Sequence, residues 1–433
     1  MRLTKRLITL VLALGFLLFC GLSLFLGWGA ARTLSRAGWD LDALRSAVGP
    51  RESATVTETL ALDGPVPRKL VLAATYGDVT VRGGEGSHLR VRLTKRAERK
   101  SLPEAEAAAD ALRVQVFREG DVLRLVGPPQ ALDQGGLQLS RGPTDRIDYD
   151  ITLPAATEVD LGLTAGNLVL DGLRAAAAIE SRFGDLRVRR VQGALTAELS
   201  AGAIDVAEVG AEGVTVTLRS RFGDVRAADV RGALTLRTES GELRAERVRA
   251  GSAPVILENR FGGIDLTDVS AGDLSVENQS GDIDLARVRV SGRLTVTGRF
   301  GDLRLSEVDA GSALLERGSG SLDWSGGRVA GSLAVKGGLG DIDLTDVLGA
   351  TMTVTSEQSG DISVGLPADA DLTLRLESRA GEIDSDFPLS QQSGQEGRPG
   401  RTMSGKLNAG KGRLDIIGRF GDIRLHRLPT GMR

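Results

Sequence analysis

Beginning at Gly166, a glycine returns every 18 to 21 residues through Gly184, Gly202, Gly223, Gly241, Gly262, Gly281, Gly301, Gly320, Gly340, Gly360 and Gly381, with nearly the same apolar pattern around each. Units this short cannot bury an apolar face alone and must bury it against their neighbours, so the repeat constrains architecture more than any other feature of the chain. Aliphatic residues stand two and four positions after the glycine, as in Leu186/Val188, Ile204/Val206 and Ile283/Leu285, and valine stands seven after it at Val191, Val209, Val230 and Val248. Further pairs precede it by seven and five, such as Val216/Leu218, Leu234/Leu236 and, in the last unit, Leu414/Ile416. A spacing of two marks a strand with one buried face, so each unit reads as two short strands hinged at a glycine turn.

A second period lies over the first. Phe183, Phe222, Phe261 and Phe300 are each 39 residues apart inside Arg-Phe-Gly, and Phe420 restores the motif before Gly421 at the end. Units between them carry Ala201, Ser240, Ser280, Ser319 or Ser359 at that position. Alternation of large and small side chains at one site lets each ring spread over the small residues beside it, which assigns the phenylalanines to structural stacking. Each turn glycine is expected to take a positive φ or a bulge that a Cβ would strain. Asp or Glu follows it at Asp185, Asp224, Glu242, Asp282, Asp302, Asp341, Asp361, Glu382 and Asp422, where a short carboxylate can accept nearby backbone N–H groups. Calcium is the alternative for such stacked acids, but the Gly-Gly-x-Gly-x-Asp nonapeptide is absent, and arginines such as Arg187, Arg226, Arg244 and Arg304 stand close by.

Two folds fit strands in this rhythm. A 39-residue double unit would make a propeller blade, yet its two halves share the same inward positions, whereas a blade's inner and outer strands sit in unlike environments. The expected fold is therefore all-β, a single-stranded parallel β-solenoid of about 20-residue coils. Its weak points are Gly327, Pro367 and Pro388 at the valine site, which imply widening in the later coils. Counting Gly421, there are 13 units from Gly166 onward, a body of roughly 60 Å at about 4.8 Å per strand.

The remaining chain divides by composition. Residues 7–31 carry no charge and follow Arg2, Lys5 and Arg6; as a helix they would be roughly 37 Å long, enough to cross a hydrocarbon core of about 30 Å. The basic flank leaves residues 1–6 as a cytoplasmic tail and the rest outside, giving a single-pass membrane protein. Cleavage after Gly29-Ala30-Ala31 is one alternative to an uncleaved anchor; a lipoprotein through Cys20 is another, disfavoured by bulky Phe19 before it and by the apolar sequence that continues beyond it. Residues 32–54 read as a stalk and 55–154 as a β-rich cap with a short helix. Residues 155–428 are the solenoid, interrupted by a polar loop at 388–405, and 429–433 form a tail.

Chemistry is bounded by inventory. Net charge is −3 with acids and bases interleaved, so nucleic acid is not an expected partner. Two histidines far apart, His88 and His426, and the lone Cys20 leave no histidine metal cluster, serine–histidine relay or intramolecular disulfide. No catalytic, cofactor-binding or metal-ligating residue is assigned.

The Tyr76-Gly77-Asp78-Val79 turn, the Ile151-Thr152-Leu153-Pro154 strand end and units such as Ser280-Gly281-Asp282-Ile283-Asp284-Leu285, behind an N-terminal apolar helix, carry a resemblance. Over about 55–428 the chain resembles a bacterial β-strand repeat family provisionally named for adhesins, and looks related to head domains described in the same way for autotransporters. The resemblance implies a β-solenoid outside the cytoplasmic membrane and supplies no catalytic residues. The function expected is a non-enzymatic, membrane-anchored envelope protein, adhesin-like or scaffolding, with an envelope protein, a wall polymer or its own copies as partner. The alternatives are a polysaccharide-acting β-helix enzyme, and an accessory in envelope-stress signalling.

Overall fold

A computed structural model describes residues 51–62, 64–128, 145–392 and 401–429. The expected membrane helix at 7–31, its cytoplasmic tail and most of the stalk lie outside the described residues. Among those described, no helix is long and apolar enough to cross a membrane. The chain divides into two compact units. The smaller contains, among the described residues, 51–54 and 97–108, and holds most of the helix Leu102–Ala111, which opens with proline in its first turn. The larger holds 55–96 and everything from 109 onward.

The larger unit is a parallel β-solenoid. Segments before the glycine stack on one another, as Glu158–Ala165, Ala177–Phe183 and Leu195–Ala201 do, and segments after it form a second ladder. In several coils the two segments merge into one bent strand, as in Ile204–Phe222 and Ile283–Phe300. Equivalent residues align rung by rung, with Val191 opposite Val209 and Val209 opposite Val230. Parallel pairing between successive coils is the reverse of the antiparallel blade a propeller requires. Inward residues such as Val216, Leu218, Val225, Val230 and Leu236 are fully buried in one continuous apolar column.

Positions two, four and seven after the glycine cannot all face inward on a regular strand, because the step from four to seven changes parity. The coil resolves this by placing the sixth residue in the left-handed region: Arg190, Glu208, Asp229, Arg247, Asp268, Arg287, Glu307 and Asp346 have φ between 52° and 57°. Two successive side chains can then point outward before valine returns to the core, as Arg189 and Arg190 do before Val191. Each such residue costs about 1–2 kcal/mol relative to the right-handed form. Charge pairing between rungs works against that cost, since Arg247 donates to both carboxylate oxygens of Asp229 (2.8 and 2.9 Å) and Arg287 to those of Asp268 (2.6 and 3.2 Å). Gly327, which replaces one inward valine, makes room for Trp324. Its own Cβ would stand 3.1 Å from the Trp324 indole nitrogen, and that indole is 1% exposed.

Both ends depart from chain order. Lys69–Tyr76 lies between Val122–Val126 and Glu158–Ala165, and Val79–Gly84 between Arg146–Pro154 and Leu168–Asp171. At the far end the last coil is intercalated: Gly412–Phe420 pairs with Ile342–Ser359 on one side and Leu372–Ala380 on the other. Likewise Ile423–Arg427 separates Ile362–Leu366 from Ile383–Ser385. The rung order is thus Gly340, Gly360, Gly421, Gly381, where the sequence suggests a closing unit after Gly381. The insertion at 388–405 also differs from a plain surface loop, because Ser390–Gln392 and Arg401–Lys406 are strands and the latter runs antiparallel to Leu372–Ala380; residues 393–400 lie outside the described residues. Antiparallel strands stand at the other end too, Gln115–Glu119 against Val122–Val126 and residues 90–96 against Arg146–Pro154. An antiparallel strand interrupts the register that a further parallel coil would need.

Candidate functional site

The glycine corner concentrates what is unusual about this surface. Gly184, Gly202, Gly223, Gly241, Gly262, Gly281, Gly301, Gly320, Gly340, Gly360, Gly381 and Gly421 have φ between 108° and 154°. A Cβ on any of them would stand 1.8–2.6 Å from the carbonyl oxygen of the glycine one rung away. The corner backbone is therefore stacked glycine on glycine, with no volume for a side chain.

Two side-chain ladders add hydrogen bonds there, although the Oδ1 atoms of Asn259 and Asn278 and the Nη1 of Arg317 find no partner among the described residues. The carboxylate after the glycine accepts the N–H of the equivalent residue on the next rung: Asp185 from Ala203 (2.9 Å), Asp282 from Asp302 (2.9 Å), Asp341 from Asp361 (2.9 Å) and Asp361 from Asp422 (2.8 Å). The N–H of Asp302 is also the leading reason the Asp282 carboxyl lies below its ordinary range. Inside the corner, three residues before the glycine, polar side chains donate to glycine carbonyls. Ser220 bonds Gly202 (3.2 Å), Asn259 bonds Gly241 and Gly262 (both 3.0 Å), and Asn278 bonds Gly262 (2.9 Å). Arg317 is the largest member, 3% exposed, donating to the carbonyls of Gly301, Gly281 and Asp302. It fits because its register neighbours on both sides are Gly298 and Gly337. The serine and asparagine ladder and the buried Arg317 were not foreseen from sequence; glycines flanking an arginine at one register position were the available signal.

Outside the corner runs a stripe. Phe183, Phe222, Phe261, Phe300 and Phe420 lie one residue before their glycines, and their exposure is 54–57%. In register they alternate with small residues: Phe183 with Ala201, Ala201 with Phe222, Phe222 with Ser240, Ser240 with Phe261, Phe261 with Ser280, Ser280 with Phe300. Ring-over-small alternation is present, but the rings keep more than half their surface in solvent instead of packing it away. The alternation extends to Tyr76 through Ala165, and past Phe300 through Ser319, Leu339 and Ser359. Phe420 follows Ser359 because the last coil is intercalated, its carbonyl accepting the N–H of Gly360 (3.1 Å), and Ala380 comes after it. Both departures from chain order thus keep a large side chain on every second rung.

Charge flanks the stripe unevenly. One residue before each ring from Phe183 to Phe300 stands an arginine, and the guanidinium carbons of Arg221 and Arg299 lie 5.8 Å from the centroids of Phe222 and Phe300. On the other side of the glycine stands the carboxylate ladder. A shallow groove of about 600 Å³ follows the arginine side, lined by Arg182, Arg221 and Arg260 with Glu239, Asn259 and Gln279. Outward ion pairs cross it between rungs, Arg219 to Glu198 and Arg237 to Glu258, both 2.8 Å. Among the described residues no three His, Cys, Asp or Glu side chains are placed to hold a metal ion.

A repeat family matches this chain twice: the Toastrack DUF4097 model covers residues 68–321 and again 292–426. The chain belongs to the Toastrack DUF4097 family. Solved structures similar to this Toastrack chain include a Clostridium sporogenes protein provisionally assigned to cell adhesion, at 10% identity and a TM-score of 0.17, covering 87% of this chain and all of that one. Another, from Bacteroides fragilis and provisionally an adhesin, has 9% identity and a TM-score of 0.19, covering 87% and 97%. A third, from Parabacteroides distasonis and provisionally lipid-binding, has 13% identity and a TM-score of 0.24, covering 63% and 94%. Likeness at this level bears on neither ligand nor partner. No curated protein matches the chain.

Proposed function

We propose that this Toastrack protein is a non-catalytic, membrane-anchored component of the cell envelope, whose solenoid serves as an extended binding face for another envelope component. The observation that carries the reading is the stripe of half-exposed rings on alternate rungs, each from Phe183 to Phe300 preceded by arginine. Isolated exposed apolar residues need no explanation, but a row of aromatic side chains repeated at fixed spacing along one edge supports an interaction surface. The charge-free run at 7–31 behind a basic flank supports the anchor, and the same flank supports a solenoid outside the cytoplasm.

The test is capture by the full chain in detergent of material from envelope preparations, compared with a variant carrying Phe222→Ser, Phe261→Ser and Phe300→Ser. Retention by the natural chain that falls in the variant is the expected result. Equal retention by both, or none by either, sinks the reading. Turnover of uronic-acid polymers by the same preparation would replace it with the polysaccharide-acting alternative.

A further inference from the structure

The ring stripe has a fixed period, and that period selects a ligand geometry. Rings recur every second rung, and with strands about 4.8 Å apart the interval is about 9.6 Å. An extended partner lying along the column must present the same contact at that spacing. A β-strand repeats a face every two residues, about 6.8 Å, and falls out of step by roughly 8 Å over the three intervals from Phe183 to Phe300. Two turns of α-helix rise about 10.8 Å, an error of roughly 3.6 Å over the same span. A polyproline II helix advances about 9.3 Å per three-residue turn and drifts by only about 1 Å.

From this match we propose, resting on the binding-face reading above, that the stripe docks a proline-rich segment in the polyproline II conformation, with an acidic residue on each turn. The small rungs between rings, such as Ser240 and Ser280, leave a gap between two aromatic side chains once per interval, which is where a pyrrolidine ring fits. The helix arrives with little order left to lose, and its solvated backbone needs no ladder edge. The arginine beside each ring supplies one cation per interval, against a single acid at that position on the intervening rungs, Glu239, which lies 3.5 Å from Arg221; the excess of cations sets the ligand's charge as negative. A second copy of this chain fits less well. Two columns related antiparallel would place arginine beside arginine, and two related in parallel about their long axis would oppose ring to ring and void to void.

The experiment titrates the full chain with the twelve-residue peptide (Pro-Pro-Glu)4, and with (Pro-Pro-Lys)4 and (Gly-Ser-Glu)4 in parallel. The acidic proline peptide is expected to bind, at least about tenfold tighter than either comparison, and to weaken with salt. The variant pairing Ser240→Phe with Phe261→Ser keeps the number of rings and moves one by a single rung; an affinity loss of about tenfold or more is expected. Should that variant not fold, Arg221→Gln with Arg260→Gln is expected to abolish the preference for the acidic peptide over the basic one. The inference is overturned if the two proline peptides bind alike, or if moving the ring changes nothing in a folded protein. Ring-dependent capture of wall glycan strands in place of peptide, or ring-dependent self-association, also overturns it while leaving the binding-face reading intact. Failure of the natural chain to capture anything removes both.

Discussion

At residue scale the corner glycines act on their neighbours more than on themselves. The Gly262 carbonyl oxygen would lie 2.2 Å from a Cβ on Gly281, whose φ is 127°. Gly281→Ala should therefore cost at least ~2 kcal/mol, read as a lower urea midpoint at unchanged slope. The recurrence of glycine made a turn legible in the sequence, but not its cause, because the obstructing atom belongs to another rung. One position on, Asp282 stabilises the corner by accepting the N–H of Asp302, with Arg304 adding to the downward pull on its carboxyl. Its contribution is present above the unfolded carboxyl value of about 3.9 and is lost as pH falls through the lower folded value. Asp282→Asn can still accept the bond, as Asn167 does from Asp185 (3.0 Å), whereas Asp282→Ala cannot. We expect alanine to lose about 1 kcal/mol at neutral pH and asparagine less. Thermal melts from pH 7 downward should show the gap between the natural chain and asparagine closing in acid.

Within single coils, the parity change between positions four and seven was visible in the spacing of Ile204, Val206 and Val209. The left-handed residue that absorbs it was not, because charged residues carry no sequence mark for that backbone region. Glu208 sits there with φ 57°, where another coil has Gly326 with φ 70°. Glu208→Gly should raise stability by about 0.5–1 kcal/mol by removing the Cβ conflict. Arg247→Gly at the equivalent site should gain nothing, since it surrenders both bonds to Asp229; denaturant midpoints of the two variants check the contrast. Arg317 is the other element-level feature hidden from a periodicity reading, which treats an arginine as outward by default. Gly298→Ala would bring a Cβ within 1.7 Å of its guanidinium, and Arg317→Ala would remove three donated bonds and take the donor from the Gly301 carbonyl, while Asp302 and Gly281 keep Ile283 and Asn278. Each should destabilise by about 3 kcal/mol, and the double variant by clearly less than the sum, because both remove one arrangement.

On the scale of the solenoid, the apolar column and its rung-by-rung register follow from alternation that any strand-period count detects. Rung order does not follow, because Gly412–Phe420 has the same inward pattern as every other coil and fits any slot equally well. Removing residues 411–433 therefore excises an inner rung, not a frayed end. Truncation should lower the melting temperature by more than 10 °C and expose amides of both Ile342–Ser359 and Leu372–Ala380 to hydrogen exchange. Protection retained in both strands would contradict the intercalated order. That order also bears on biosynthesis. A chain leaving the ribosome finishes 372–385 before the residues that must slide in beneath it exist, so the nascent column waits with an open slot for the time needed to translate the remaining stretch, about 2–10 s at ordinary elongation rates. The final turn is a keystone, and until it seats, the nascent protein is both incomplete and sticky.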